Sequence, residues 1–91
     1  MKVKDLKDFS FYIGNTSDGR DVTASNKGIF VDDELVGGYK GVNIKDVGDF
    51  IDVIDDAIYE CDLTDEDKDE LGTYLGANIT IEKWWNENVS D

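Results

Sequence analysis

The sequence predicts an α+β fold in a single domain, in which an antiparallel sheet of three to four short strands (residues 9–42) precedes two to three helices (about 44–61, 65–75 and 80–89). Two patterns predict this class. Apolar residues alternate with polar ones in the first half, as in half-buried strands, and recur at spacings of three and four in the second half, as in amphipathic helices. A chain of 91 residues with 40% hydrophobic residues can bury one small core, which favours a single domain.

The first strand is predicted by Phe9, Phe11 and Ile13, which alternate with Ser10 and Tyr12. This period of two places the first three side chains on one face of a strand and the other two on the opposite face. Turn-forming residues follow, and the stretch after them has the composition of a second, weaker strand.

A β-hairpin is predicted where two short apolar runs, 29–31 and 35–36, flank the acidic triplet 32–34. Gly37 and Gly38 follow the second run immediately. Because glycine weakens strands and marks bulges, we expect the second arm of the hairpin to be bulged or to end early.

The first helix is predicted from Asn43, a favourable N-cap, through apolar residues spaced three and four apart from Val47 to Cys61. Cys61, the lone cysteine, is interpreted as a small buried hydrophobe at the end of this apolar face. Thr64 is the expected N-cap of the second helix, whose first turn holds three acids beside the positive end of the helix dipole. We expect Tyr74 to face the core from that helix.

The third helix is predicted to begin at Thr80 as its N-cap, with Ile79 packing against Trp84 as a hydrophobic staple. Adjacent residues on a helix point about 100° apart, so a short helix does not readily bury both Trp84 and Trp85 in one core. We expect one of them in the core and the other exposed, and we assign Trp85 to partner binding, since exposed tryptophans favour interfaces.

Negative charge is concentrated in one part of the chain, which has a formal net charge of −13. Residues 46–70 contain twelve acids against one base, an excess of eleven negative charges, whereas residues 1–45 contain seven of each. Nucleic acids and anionic lipids would repel such a domain, so direct binding to either is disfavoured. The same field attracts basic proteins, above all those that hold nucleic acid.

The sequence also indicates the cellular compartment in which we expect the protein. No apolar run follows the lysines of the N-terminal segment, as a secretory signal would require, and no stretch reaches the roughly 18 apolar residues of a spanning helix. One cysteine cannot form an intramolecular disulfide. We therefore expect a soluble, cytoplasmic protein.

On the predicted first helix, four acidic residues three and four apart form one stripe that rises in steps of about 4.5–6 Å: Asp49, Asp52, Asp56 and Glu60. Phosphates along a nucleic-acid strand repeat on a comparable scale, so the stripe can imitate part of that backbone. The alternative interpretation is a solvated face that only confers solubility. The residues expected to bind a partner are Asp49, Asp52, Asp55, Asp56, Glu60, Asp62, Asp65, Glu66, Asp69 and Trp85.

Residues for catalysis or cofactor binding are scarce. The chain has no histidine and no glycine-rich phosphate motif, and its carboxylates are expected on solvated helix faces, so we predict no enzyme activity and no cofactor. Asp65, Asp67 and Asp69 are spaced like the start of an EF-hand calcium loop. Glu70 stands where that loop needs glycine and Gly76 where it needs a glutamate, so we expect no metal site.

In size, in its lack of catalytic residues and in the carboxylates between Asp46 and Glu70, the chain resembles the small acidic inhibitors encoded by phages and mobile elements. These include anti-CRISPR proteins and other nucleic-acid mimics. The resemblance implies a non-catalytic protein that occludes the basic, nucleic-acid-binding groove of a partner, such as a CRISPR effector or another DNA- or RNA-handling enzyme.

Two alternatives remain open from the sequence. The first is an oligomeric assembly or interaction protein of phage or bacterial origin that uses Trp85 or a strand edge, so both a monomer and a dimer are possible. The second is a regulator, because residues 70–86 resemble a helix-turn-helix unit. That segment departs from the motif: the spacing from Gly76 to Ile81 is one residue short, and Lys83 alone offers positive charge to a phosphate backbone.

Overall fold

A computed structural model describes residues 1–77 and 79–89 and has the predicted α+β architecture. A four-stranded antiparallel sheet, in the order β1-β2-β3-β4, is followed by three helices. The strands are β1 (Ser10–Asn15), β2 (Asp21–Ser25), β3 (Gly28–Val31) and β4 (Glu34–Gly37). The helices are α1 (Val47–Tyr59), α2 (Asp65–Gly76) and α3 (Ile79–Asn88), and a short 3₁₀ turn, Val3–Asp5, precedes the sheet.

The sheet buries one face and leaves the other open, which confirms the predicted alternation. The buried side chains on the strands are Phe11, Ile13, Val22, Ala24, Ile29 and Val31. On the opposite face, cross-strand pairing places Tyr12, Thr23, Phe30 and Leu35 in one row across all four strands. None of these four side chains is buried, so the helices cover only the apolar face.

The predicted hairpin between β3 and β4 is confirmed, together with its bulge. Asp32 and Asp33 form a two-residue turn with positive φ angles of 49° and 68°, as a type I′ turn requires. The pairing shifts by one residue within β4. Gly28 has a φ of 141°, and a Cβ atom there would lie 1.9 Å from the carbonyl oxygen of Gly37. Only glycine fits this close approach of two backbones.

Helix α1 begins later than predicted. Its N-cap is Asp46, whose carboxylate accepts a hydrogen bond from the Asp49 backbone N–H at 2.9 Å, and not Asn43. The cause is a tertiary contact. Ile44 is buried, and its N–H donates to the Met1 carbonyl at 2.6 Å, which holds the chain outside a helix at this point.

Helix α2 begins as predicted, because the Thr64 hydroxyl accepts a hydrogen bond from the Asp67 N–H at 3.1 Å, and it ends at Gly76. Leu71 and Leu75 are buried. The expectation that Tyr74 faces the core is wrong, since its side chain is 50% exposed.

Helix α3 corrects three expectations. Ile79 is the first helical residue and is 80% exposed, so it forms no staple with Trp84, and Thr80 lies within the helix. Trp85 is only 5% exposed and packs against Phe50 at a centroid distance of 5.4 Å, so it is not the exposed anchor that we expected. The neighbouring Trp84 is half-buried, and position 78 lies outside the described residues.

The two tryptophans share one aromatic cluster, which explains how a short helix packs both. The ring of Trp84 lies 5.4 Å from that of Phe9, 5.8 Å from Phe11 and 5.9 Å from Phe50. This cluster joins β1, α1 and α3 in the core. Among residues 1–77 and 79–89, no helix has the length and apolar character needed to span a bilayer.

Candidate acidic interface

The orientation of α1 follows from its apolar side. Phe50, Ile54 and Ile58 are fully buried, so a helical period of 3.6 residues directs Asp52 and Asp56 to the opposite side. Both aspartates are exposed. The outward stripe of carboxylates that the sequence predicted therefore exists at these two positions.

Asp55 and Tyr59 lie at the contact between α1 and α2. Gly72 permits this contact, because a Cβ atom there would lie 3.2 Å from Oδ1 of Asp55 and 4.0 Å from the Tyr59 hydroxyl. The Tyr59 hydroxyl donates to Oδ1 of Asp69 at 3.3 Å. The structure thus places Asp55 and Asp69 at this helix pair, and the charges of Asp52 and Asp56 act on Asp55 from the same helix. We call these four predicted site residues the seam carboxylates: Asp52, Asp55, Asp56 and Asp69.

Electrostatic interactions link Asp55 to Asp52 and Asp56, and link Tyr59 to Asp69 and Asp55. Partial burial raises the pKa of Asp55, and the negative charges of Asp56 and Asp52 raise it further. The charge of Asp69 is the largest cause of the raised pKa of the Tyr59 hydroxyl, followed by partial burial. Oδ1 of Asp55 is buried and has no hydrogen-bond partner within the described residues. These groups therefore concentrate negative potential along the seam.

Other predicted site residues have local roles instead. Asp49 is half-buried, and its carboxylate accepts a hydrogen bond from the Lys45 N–H at 3.0 Å at the start of α1. Glu60 pairs with Lys40 at 3.1 Å. The predicted four-residue stripe is thus reduced, because Asp49 takes part in capping and Glu60 is paired with a base from the first half.

Lys40 also interacts electrostatically with Asp56 of the outward stripe. Its pKa is raised by the hydrogen bond to Glu60, by the charge of Glu60 and by the charge of Asp56. Within residues 1–77 and 79–89, the only other ion pair joins Arg20 to Asp18. Most acids of the second half are therefore not neutralised by a directly paired base.

Asp62, Asp65 and Glu66 are exposed in the connection between α1 and α2 and in the first turn of α2. Asp67, by contrast, is only 3% exposed and accepts a hydrogen bond from the Ser17 backbone N–H at 2.9 Å. It joins α2 to the loop between β1 and β2. The acidic block as a whole is therefore not one continuous outward patch.

Sequence reasoning recognised Gly72 as a position of close helix contact but missed the roles of Tyr59 and Asp67. Nothing in the sequence distinguishes Asp67 from its exposed neighbours. In the part of the chain that the structure describes, no group of three or more cysteine, aspartate or glutamate residues is arranged to hold a metal ion. Burial raises the pKa of the Cys61 thiol, which donates to the Ala57 carbonyl at 3.1 Å and forms part of the core.

Comparison with known proteins gives no relative from which a role could be transferred: no protein-family model, no curated protein and no solved structure matches the chain.

Proposed function

We propose that this protein is a non-catalytic acidic inhibitor that binds the basic nucleic-acid-binding surface of a partner protein and occludes it. The observation that carries the proposal is the group of seam carboxylates, in which Asp52 and Asp56 are exposed and their charges act on Asp55. Within the described residues, none of these four is in an ion pair with a lysine or arginine. A cationic partner would supply the missing counter-charge.

Holding these like charges close together destabilises the folded protein. Like charges three and four residues apart destabilise a helix by about 0.2–0.5 kcal/mol for each pair. Burying Oδ1 of Asp55 without a partner adds to that cost. Arginine or lysine side chains of a partner would convert this repulsion into attraction, with an association rate and affinity that fall as salt screens the charges.

The experiment compares two charge-reversal variants that change the net charge equally. Asp52→Lys with Asp56→Lys alters the seam carboxylates, whereas Asp8→Lys with Glu34→Lys alters two exposed acids of the charge-balanced half. Wild type and both variants are immobilised and exposed to a nuclease-treated bacterial lysate at low and high salt.

We expect wild type and the Asp8/Glu34 variant to retain a nucleic-acid-binding protein at low salt and to release it when duplex DNA or RNA is added. The Asp52/Asp56 variant should bind that protein at least about tenfold more weakly, because each lost charge contact costs about 1 kcal/mol or more. Equal retention by both variants, or retention that nucleic acid does not reverse, would contradict the proposal.

A second candidate function is that of an oligomeric assembly protein. Its support is the open sheet face and the edge strand β4. Tyr12 of β1 is exposed on the open face, and Leu35 and Val36 are exposed on β4. An unpaired strand edge can pair with another chain. Light scattering discriminates the two candidates: a dimer that persists at high salt favours assembly, whereas a monomer favours the inhibitor. The regulator alternative has less support, because Lys68 and Lys83 are the only bases in α2 and α3.

A further inference from the structure

Four of the nine basic residues line one cleft, although the chain as a whole is strongly acidic. The cleft has a volume of about 340 Å³ and lies between the 3₁₀ turn, the β2–β3 turn and the loop that follows β4. Lys4 lies in the 3₁₀ turn and Lys2 immediately before it, Lys27 lies in the β2–β3 turn, and Lys40 lies in the loop after β4. The fold therefore gathers lysines that are distant in sequence.

Packed and hydrogen-bonded groups hold the walls of this cleft in place. The Asn26 side chain donates to the carbonyls of Leu6 and Lys7 at 3.2 and 3.0 Å and accepts from the Phe9 N–H at 2.7 Å. The Tyr39 hydroxyl donates to the Ser25 carbonyl at 2.6 Å. These bonds fix the N-terminal segment and the loop after β4 against the β2–β3 turn, so the lysine backbones are preorganised.

The charges of the cleft are largely uncompensated. Lys40 pairs with Glu60, but Lys2, Lys4 and Lys27 are in no ion pair within residues 1–77 and 79–89. The chain has 22 acids to 9 bases, so carboxylates that could form ion pairs with these lysines are abundant. Three lysines that line the cleft without an ion pair in the described residues raise the local positive potential there. This potential would attract an anion into the cleft.

We propose that this cleft binds a phosphate-bearing small anion, either inorganic phosphate or the phosphate chain of a nucleotide. Lysine is a compact point charge with three donors, and a phosphate group offers several oxygens that can accept from different ammonium groups at once. A carboxylate carries less charge and fewer acceptor oxygens. The site uses residues other than the seam carboxylates, so it stands independently of the proposed inhibitory function.

The test uses the isotope-labelled full chain and follows backbone amide signals during titration at constant ionic strength. The probes are inorganic phosphate, tripolyphosphate and ATP. The test variant is Lys4→Gln with Lys27→Gln, and the matched control is Lys68→Gln with Lys83→Gln, which removes the same charge from α2 and α3. Circular dichroism checks that both variants keep the wild-type fold.

We expect saturable shifts confined to the amides of the cleft, from residues 2–4, 26–28 and 38–41. The Lys4/Lys27 variant should lose at least about tenfold in affinity, because each charge-assisted contact is worth tenfold or more, and the control should remain close to wild type. Equal affinities for tripolyphosphate and ATP indicate recognition of the phosphate chain alone, and tighter binding of ATP indicates a nucleotide. Shifts that do not saturate, that spread over all lysines or that weaken equally in both variants would overturn the proposal.

Discussion

The charge-balanced half, residues 1–45, and the acidic block, residues 46–70, distribute their charges in different ways. In the balanced half, several acids bind neighbours close in sequence: Asp18 pairs with Arg20, and Asp5 accepts a hydrogen bond from the Lys2 N–H at 3.1 Å. In the acidic block, Asp52 and Asp56 remain exposed without an ion pair in the described residues. The first half uses its acids to shape turns, and the second displays several of them.

The comparison also shows that equal numbers of acids and bases do not imply pairing. Residues 1–45 sum to zero, yet Lys2, Lys4 and Lys27 line a cleft without ion pairs in the described chain. The molecule therefore presents two surfaces of opposite sign. Lys40 lies between them, because it lines the cleft and pairs with Glu60.

Gly28 is the position in the first half where a substitution should lower the free energy of unfolding most. Gly28→Ala places a Cβ atom 1.9 Å from the Gly37 carbonyl oxygen at a φ of 141°, and both strain and overlap destabilise the hairpin. We expect a loss of about 3 kcal/mol or more in the free energy of unfolding, measured by urea denaturation. Gly38→Ala is the control, since no atom lies within 4 Å of its Cβ position, and it should change stability by less than about 0.5 kcal/mol. Similar values for both variants would refute this account of the bulge.

The hydrogen bond between Asp67 and Ser17 links the two halves of the chain, and its loss should lower stability less than the change at Gly28. Asp67→Ala leaves the Ser17 N–H without its acceptor and removes a buried side chain, so we expect a loss of about 2 kcal/mol in unfolding free energy. Asp65→Ala, at an exposed position in the same helical turn, should cost less than about 0.5 kcal/mol. Asp67→Asn keeps an acceptor oxygen and should recover part of the loss. If the exposed and the buried position are equally sensitive, Asp67 does not join α2 to the sheet.

Sequence patterns that extend over a few residues predicted the fold. The structural features that they did not predict depend on contacts between residues far apart in the chain. The alternation in β1, the hairpin turn and the Thr64 cap depend on neighbours within a few residues. The delayed start of α1 depends on a bond between Met1 and Ile44, and the burial of Asp67 on a loop 50 residues away. The spacing of apolar and polar residues along the sequence does not indicate such contacts.

The same distinction between local patterns and non-local contacts applies to the candidate sites. Helical spacing correctly placed Asp52 and Asp56 on an outward stripe, but it could not show that Glu60 meets Lys40. The choice between the two tryptophans was wrong because the aromatic cluster has room for both, with Trp85 the more deeply buried. The basic cleft was not recognisable because its lysines come from three separate segments.

Substitution of Asp55, in the acidic block, should change stability less than the changes at Gly28 and Asp67. The pKa of Asp55 is raised in the folded state above its ordinary value of 3.8, so this group contributes stability that is fully present below 3.8 and is lost as pH rises through the folded-state pKa. At neutral pH its charge therefore opposes folding. Asp55→Asn should stabilise the protein there by about 1 kcal/mol or less, because it removes a like charge beside Asp56 and Asp52.

The measurement is urea denaturation at neutral pH and at a pH close to 4, for wild type, Asp55→Asn and the control Asp62→Asn, an exposed acid in the α1–α2 connection. The advantage of Asp55→Asn over wild type should shrink as the pH falls, since protonation removes the same charge from the wild-type side chain. Asp62→Asn should show a weaker dependence. An advantage that stays constant with pH, or that is equal for the two variants, would mean that the seam does not concentrate negative potential at Asp55, and it would remove the electrostatic basis for assigning this surface to a cationic partner.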